Sequence, residues 1–384
     1  MPNKENTLRN RCTHSRLLLG VCAQLLSRSS NALAVPNLQT RVLCHGELLY
    51  DCIALPEAAG FSLEEVTTSQ KWKKYAGGAP ANVACALAKL GTSAAFAGAV
   101  GEDADAADLQ QVLIDSGVDV SLVSTVPGGL TRRCMVTRAE NGDRTFAGFH
   151  KGLPTDRFAD CFHQLQVPSP DALKGFNWLV QGTLGLAAPT SAATHRRLPP
   201  LLRERNAGVR HLCDVNWRPV FWPNVPEEHA RSEILKFARI ADVVKLTDEE
   251  AHWLFGMSAS DALRRPSDVR ALFPASKAVL VTGGEKGAAF DVLGHAGFVP
   301  PFEVDVMETT GAGDAFTAGF IHAMRAFEWG AGTARQGALS AEERGEVDAA
   351  VRFASAVGAL SCTGDGAIGP QPSAEAVARF LQSA

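Results

Sequence analysis

The stretch Glu308-Thr309-Thr310-Gly311-Ala312-Gly313-Asp314-Ala315-Phe316 carries the strongest signal in the chain. Its small residues let consecutive backbone amides turn together where a helix is expected to begin, over 312–327. Those amides and the helix dipole form a pocket for an anion. Asp314 falls in the first turn of that helix. A carboxylate beside a phosphate pocket would repel the phosphate. It reads instead as a base that takes a proton from an attacking hydroxyl. A plain helix start with an acidic residue suited to the dipole reads the same way, so the stretch needs support from the rest of the chain.

That support begins with the alternation of elements upstream. Short apolar runs predict strands at 41–45, 93–100, 176–180, 209–215, 242–246 and 277–282. Helical patterns fall between or after them, at 83–90, 105–116, 189–205, 227–240 and 248–255, with further helices at 346–360 and 373–381. The pair Pro199-Pro200 is expected to interrupt the 189–205 helix. Strands alternating with helices give an α/β fold, a doubly wound and mostly parallel sheet flanked by helices. Ligands of such sheets sit beyond the carboxyl ends of the strands. Two segments, about 51–76 and 132–149, show strand-like runs without intervening helices. Glu140-Asn141-Gly142-Asp143 between two of those runs is a hairpin signal. They are expected to form a small β-sheet projecting from the main body. Gly330 to Arg344 reads as a surface loop.

Two more glycine-rich stretches fall where the alternation places ligands. Gly77-Gly78-Ala79-Pro80-Ala81-Asn82 would bring backbone close to a ligand, and Asn82 offers both a donor and an acceptor, as a polyol requires. Thr282-Gly283-Gly284-Glu285-Lys286-Gly287 ends a strand and suits a nucleotide. Either stretch alone is also an ordinary loop or turn. The chain has no G-x-x-x-x-G-K-[ST], so it is not a Walker-type kinase.

In the 384 residues, 46% are hydrophobic and 20% charged, ample for a core. Net charge is −4, from 37 Lys+Arg against 41 Asp+Glu, which does not call for a nucleic-acid partner. No apolar run approaches the ~20 residues of a membrane span. The nine cysteines form no C-x-x-C pair and read as reduced, buried small hydrophobes in a reducing compartment.

Residues 1–38 differ from the rest. Lys4, Arg9, Arg11, Arg16 and Arg28 face a lone Glu5, and serines are frequent, the composition of an organelle transit peptide. A plastid destination is expected before a mitochondrial one, with a disordered cytoplasmic extension as the alternative. A secretory reading, with Leu17–Leu26 as its apolar core and Ala32-Leu33-Ala34 as its cleavage site, fits the unpatterned cysteines less well.

Taken in this order, the motifs resemble the ribokinase-like (PfkB) family of carbohydrate kinases, from about Arg41 to the C-terminus. Gly46-Glu47-Leu48-Leu49-Tyr50-Asp51 and Asp214-Val215-Asn216-Trp217-Arg218-Pro219-Val220-Phe221-Trp222 are most similar to fructokinases. The resemblance implies one kinase domain over 41–384, with the two projecting segments as a β-lid that closes over the sugar. It implies ATP-dependent phosphorylation of a sugar hydroxyl with Asp314 as base and Gly311, Ala312 and Gly313 as anion hole. It places the sugar against Asp51, Gly78 and Asn82, and the nucleotide against Thr282, Gly284 and Gly287. Thr247-Asp248-Glu249-Glu250 stands for the family's Asn-x-x-Glu motif, in which Glu250 organises Mg²⁺ through water. Glu308, where most members have Asp, would with Thr310, Ser361 and Gly366 border a monovalent cation such as K⁺. His150-Lys151 follows Phe149 where fructokinases carry Arg. Fructose is the expected acceptor, with ribose, a keto-deoxy sugar acid or a nucleoside left open, and a homodimer through the lid is implied. The alternative is a non-catalytic fructokinase-like subunit of a plastid transcription complex.

Overall fold

The computed structural model describes residues 40–139, 144–166, 169–329 and 338–384. The 1–38 leader, the Glu140–Asp143 turn and the first part of the Gly330–Arg344 loop lie outside the described residues. Thirteen strands follow in chain order: β1 Arg41–His45, β2 Leu49–Ala54, β3 Trp72–Gly77, β4 Ser93–Val100, β5 Asp119–Thr125, β6 Arg133–Arg138, β7 Arg144–Phe149, β8 Trp178–Gln181, β9 Arg210–Asp214, β10 Val243–Thr247, β11 Ala278–Thr282, β12 Ala288–Val292 and β13 His295–Val299.

Nine of them form one sheet in the order β13-β12-β11-β10-β9-β8-β1-β4-β5. From β11 to β5 every pairing is parallel, and β12 and β13 add an antiparallel edge. The alternation of strand side chains divides the core between the two faces. Ala278 and Leu280 of β11 join a cluster with the Ala79–Lys89, Ala312–Ala323 and Ala341–Ser361 helices. Val279 and Val281 join the opposite cluster, with the Glu227–Ala238 and Asp248–Phe255 helices. The sheet is therefore buried on both faces, as a parallel sheet requires.

The second sheet has the order β3-β2-β6-β7. Its central pair, β2 and β6, is parallel, and both flanking pairs are antiparallel. It is the projecting sheet expected from 51–76 and 132–149, with one correction. Those segments are not free of helix: Leu63–Ser69 is helical, started by a capping box in which Ser62 and Glu65 bond each other's backbone N–H.

Three further readings change. The Pro189–Arg205 helix runs through Pro199 and Pro200 without a break. Leu198 and Leu202 are fully buried against β1, β4 and β8, and that packing offsets the bonds the prolines cannot make. The helix expected at 346–360 starts at Ala341, because Ser340 and Glu343 form another capping box, so the loop stops before Arg344. Strand β5 and the β12–β13 hairpin carry no strong alternation and were not expected. Among the described residues no helix is long and apolar enough to cross a membrane.

Candidate active site

Most of the residues singled out from the sequence meet at the carboxyl ends of the parallel strands. Gly311 caps the Ala312–Ala323 helix in a left-handed conformation, φ 80°, and no side chain caps it. A Cβ at 311 would lie 2.6 Å from the Cβ of Ala367, so glycine is required twice over. The leading amides of a helix have no partners inside it. The Ala312 amide bonds the Thr309 carbonyl at 3.2 Å, which leaves those of Gly311, Gly313 and Asp314 as the candidate anion-binding donors of this turn, with the Asp314 carboxylate at their edge.

Beneath this turn lies a buried ion pair. Lys245, in the interior of β10, holds both carboxylate oxygens of Asp214 at the end of β9, at 2.9 and 3.2 Å. Both side chains are 6% exposed. A Cβ on Gly313 would sit 2.8 Å from the Lys245 ammonium, so the cation lies directly under the turn. Burial works against the Lys245 charge, but Asp214, Glu250 and Asp314 outweigh it and hold its pKa above the ordinary value. Asp314 itself is pushed up to about 7, by burial first and then by the charge of Asp214. A hydrogen bond from Asn82 and the charges of Lys245 and Arg218 oppose that rise. A carboxyl poised near neutrality suits proton transfer at physiological pH.

The proposed sugar-side residues come from the other half of the chain. Asn82, in the first turn of the Ala79–Lys89 helix, donates from Nδ2 to Asp314 Oδ2 at 2.8 Å. Gly78 has φ 104°, and a Cβ there would collide with the Glu47 carbonyl. Asp51 reaches in from β2 of the small sheet. Gly77 leaves room for its carboxylate, since a Cβ at 77 would lie 2.7 Å from Asp51 Oδ2. Burial, and then the charge of Glu308, pushes Asp51 up to about 6, while Arg218 opposes the shift.

Thr282, Gly284 and Gly287 form the turn after β11, with φ 58° at Gly284 and 94° at Gly287. Thr247 is paired in register with Thr282 on the neighbouring strand. Glu250 is bound in a capping box with Thr247, and its other oxygen accepts from Trp217 N at 2.7 Å. Thr247 thus serves as the N-cap of the Asp248–Phe255 helix. With both oxygens engaged, Glu250 fits a role through water better than direct metal ligation. Among the described residues no group of three His, Cys, Asp or Glu could hold a metal by itself.

Three of the four cation candidates, Glu308, Thr310 and Gly366, are joined by hydrogen bonds. Glu308 accepts from the Thr310 hydroxyl at 2.7 Å and from Gly366 N at 3.0 Å. The amides of Met307 and Glu308 bond the carbonyl of Cys362, next to Ser361. The Glu308 carboxylate therefore staples two loops beside the anion turn.

Three contributors were not assigned roles from sequence. Asp214 and Arg218 belong to the fructokinase-like 214–222 stretch, and Lys245 is a lone charge inside an apolar strand. Glu47 is the fourth such case. It is buried, bonds Ala79 N at 2.9 Å, and is pushed up to about 8 by burial before its neighbours Asp160 and Asp314.

The model of the pfkB family carbohydrate kinases matches residues 39–374. Fructokinase-1 of Oryza sativa subsp. japonica is 32% identical over 343 residues, covering 89% of this chain and 98% of its own. The probable fructokinase-6, chloroplastic, of Arabidopsis thaliana is 34% identical over 344 residues, covering 89% and 83%. Among solved structures, a fructokinase double mutant from Vibrio cholerae O395 with fructose, ADP and potassium ion aligns with TM-score 0.70 at 28% identity, over 89% of this chain and 98% of that one. Fructokinase with bound ATP from Xylella fastidiosa aligns with TM-score 0.72 at 26% identity, over 90% and 99%. The chain belongs to the pfkB family of carbohydrate kinases.

Proposed function

We propose that this pfkB-family kinase phosphorylates fructose with ATP, using Asp314 as general base. The observation that carries the reading is the position of Asp314, at the open N-terminus of the Ala312–Ala323 helix and bonded to Asn82 of the sugar-side helix. One carboxylate thereby faces both an anion pocket and a polyol site. The curated relatives named fructokinases, and the Vibrio structure holding fructose and ADP, support fructose as acceptor.

In the proposed step a primary hydroxyl of the sugar gives its proton to Asp314. Its oxygen bonds the γ-phosphorus of ATP in line, the bond from that phosphorus to the β–γ bridging oxygen breaks, and ADP leaves. The amides of Gly311, Gly313 and Asp314 hold the transferring group, with Lys245 adding positive potential from below. Asp51, Gly78 and Asn82 orient the sugar, and Thr282, Gly284 and Gly287 hold the nucleotide. Mg²⁺ would enter with ATP and neutralise phosphate charge, with Glu250 ordering its water. A K⁺ ion would lie at Glu308, Thr310, Ser361 and Gly366. The small sheet closes as a lid to exclude water, and its outer face is the proposed homodimer contact. Residues 1–38 are a leader with a plastid as first destination, in line with the chloroplastic relative, and 41–384 are the kinase domain.

The test is a coupled ADP-release assay with fructose, ribose, a keto-deoxy sugar acid and a nucleoside. The expected result is the highest kcat/KM on fructose. A higher value on another acceptor reassigns the sugar. No ADP release with any of them leaves the non-catalytic alternative.

A further inference from the structure

A small cavity, of about 90 Å³, lies beside the site, where chain segments cross between the two sheets. Gly46 and Glu47 line it from the β1–β2 crossing, Arg132 from the start of β6, and Thr155, Asp160 and His163 from the return after β7. Its far wall is Gly185 and His195. His163 and His195 are each 2% exposed. Their Nε2 atoms have no hydrogen-bond partner. Two buried imidazole nitrogens left unpaired are costly unless something in the cavity satisfies them.

The neighbouring bonds fix what each nitrogen offers. Gln181 Nε2 donates to the backbone carbonyl of His195 at 3.3 Å, which orients its amide, and it also faces His45 Nδ1 at 2.8 Å. His45 Nδ1 is therefore an acceptor, and the His45 proton sits on Nε2. That proton points to His163 Nδ1, 3.1 Å away. His163 must then carry its own proton on Nε2, as a donor. His195 Nδ1 faces the carbonyl of Ser191 at 3.0 Å and donates to it, so His195 Nε2 is a lone pair. Burial, then the neighbouring His195, lowers His163 to about 3. Burial lowers His195 to about 4, so both rings stay neutral.

We propose that this cavity is a binding site for a hydroxyl group, which accepts from His163 Nε2–H and donates to His195 Nε2. A metal ion finds a single imidazole lone pair there, because that of His163 is spent on His45. An anion finds a single imidazole donor, because Arg132 is spent on Asp160 and Thr155. A hydroxyl has the required donor and acceptor together. The volume suits about three waters at roughly 30 Å³ each, or a three-carbon polyol. Exposed Asp156 and Pro189 line the same cavity and give it a mouth to solvent. A molecule seated there bridges the lid's return segment and the Pro189–Arg205 helix next to Glu47, which holds the start of the Asn82 helix.

The experiment is a high-resolution crystal structure of the full chain grown without polyols, and a second after a glycerol soak. The expected result is an oxygen within about 2.7–3.2 Å of both Nε2 atoms. An isolated peak in both crystals identifies water, and a carbon-linked peak confined to the second identifies a polyol. The proposal is overturned by an empty cavity, by a side chain swung in to pair the two nitrogens, or by stoichiometric Zn²⁺ uptake that His195→Phe abolishes. Imidazole ¹⁵N NMR of the unaltered protein at pH 7 checks the same logic without a variant. Protons on His163 Nε2 and His195 Nδ1 are expected, and the reverse tautomer at either ring sinks it. His195→Phe should lose the oxygen while the fold is kept. An oxygen that persists there shows that His195 does not hold it.

Discussion

Asn82 Nδ2 donates a 2.8 Å hydrogen bond to Oδ2 of Asp314, joining the first turns of two helices 232 residues apart in sequence. The bond favours the charged carboxylate and restrains a pKa that burial and Asp214 push up to about 7. Asp314→Asn keeps the shape and loses the base. Turnover should fall by at least ~10²–10⁴-fold with nucleotide binding little changed. In the unaltered enzyme kcat/KM should fall as pH drops through about 7, because protonation removes the base. Asn82→Ala should move that fall to higher pH, since the lost bond had stabilised the ionised form. Near-normal kcat in Asp314→Asn, measured by ADP release, removes Asp314 from the mechanism.

Asp51 enters the site from the small sheet, and Gly77 clears its path. Asp51→Ala should raise the sugar KM strongly and spare ATP affinity, because sugar hydroxyls lose a partner in a closed site. Burial, and then the Glu308 charge, pushes its carboxyl up to about 6. The unaltered protein should therefore lose sugar affinity below that pH, and the variant should not. Sugar saturation curves at two pH values decide it, and identical curves make Asp51 structural.

The Lys245–Asp214 pair is buried on both sides. Lys245→Met leaves Asp214 charged and alone, which typically costs about 3–5 kcal/mol. The double change Lys245→Met, Asp214→Leu should recover most of that loss, since two apolar groups leave no unpaired charge. Urea unfolding gives both numbers. A single-variant loss below about 1 kcal/mol would mean water reaches the pair.

What could be read from sequence was local. The 311–314 turn, the Thr282–Gly287 turn and the Gly77–Gly78 approach each depend on residues within a few positions. The alternation of apolar strands and helices was equally local, and it placed the doubly wound sheet. The contacts that tune the site are not local. Lys245 meets Asp214 because β9 and β10 are neighbours, and Glu308 meets Gly366 across 58 residues. Pro199 and Pro200 mark the same limit from the other side, since local chemistry predicted a break that burial of Leu198 and Leu202 overrides. The capping boxes Ser62–Glu65, Thr247–Glu250 and Ser340–Glu343 are local as well, each a Ser or Thr followed three residues later by Glu.

Deleting residues 1–38 should leave fold and activity intact. The family match begins at residue 39, and none of the site residues lies before Glu47. An insoluble or inactive truncation in the sugar assay would refute the leader reading. A fluorescent fusion of the first forty residues tests the destination separately.

Glu308 sets the last expectation. Its two carboxylate oxygens already receive the Thr310 hydroxyl and the Gly366 amide. Glu is one methylene longer than Asp, so its carboxylate reaches across to the Gly366 loop rather than stopping at the proposed cation position. Ser361 spends its hydroxyl proton on the carbonyl of Gly358. The site should therefore bind K⁺ weakly, and activation by K⁺ should be slight. Glu308→Asp withdraws the carboxylate from Gly366 and frees room beside the anion turn. The initial rate against K⁺ concentration, at constant ionic strength, should then rise more steeply in the variant than in the unaltered enzyme. The two carboxyls also differ in what they do for Asp51, whose pKa the Glu308 charge helps to raise. A shorter side chain carries that charge to a new place, so the pH midpoint for sugar binding should shift together with the K⁺ response. Equal K⁺ curves with an unmoved midpoint would make Glu308 a neutral replacement for Asp and remove the cation argument.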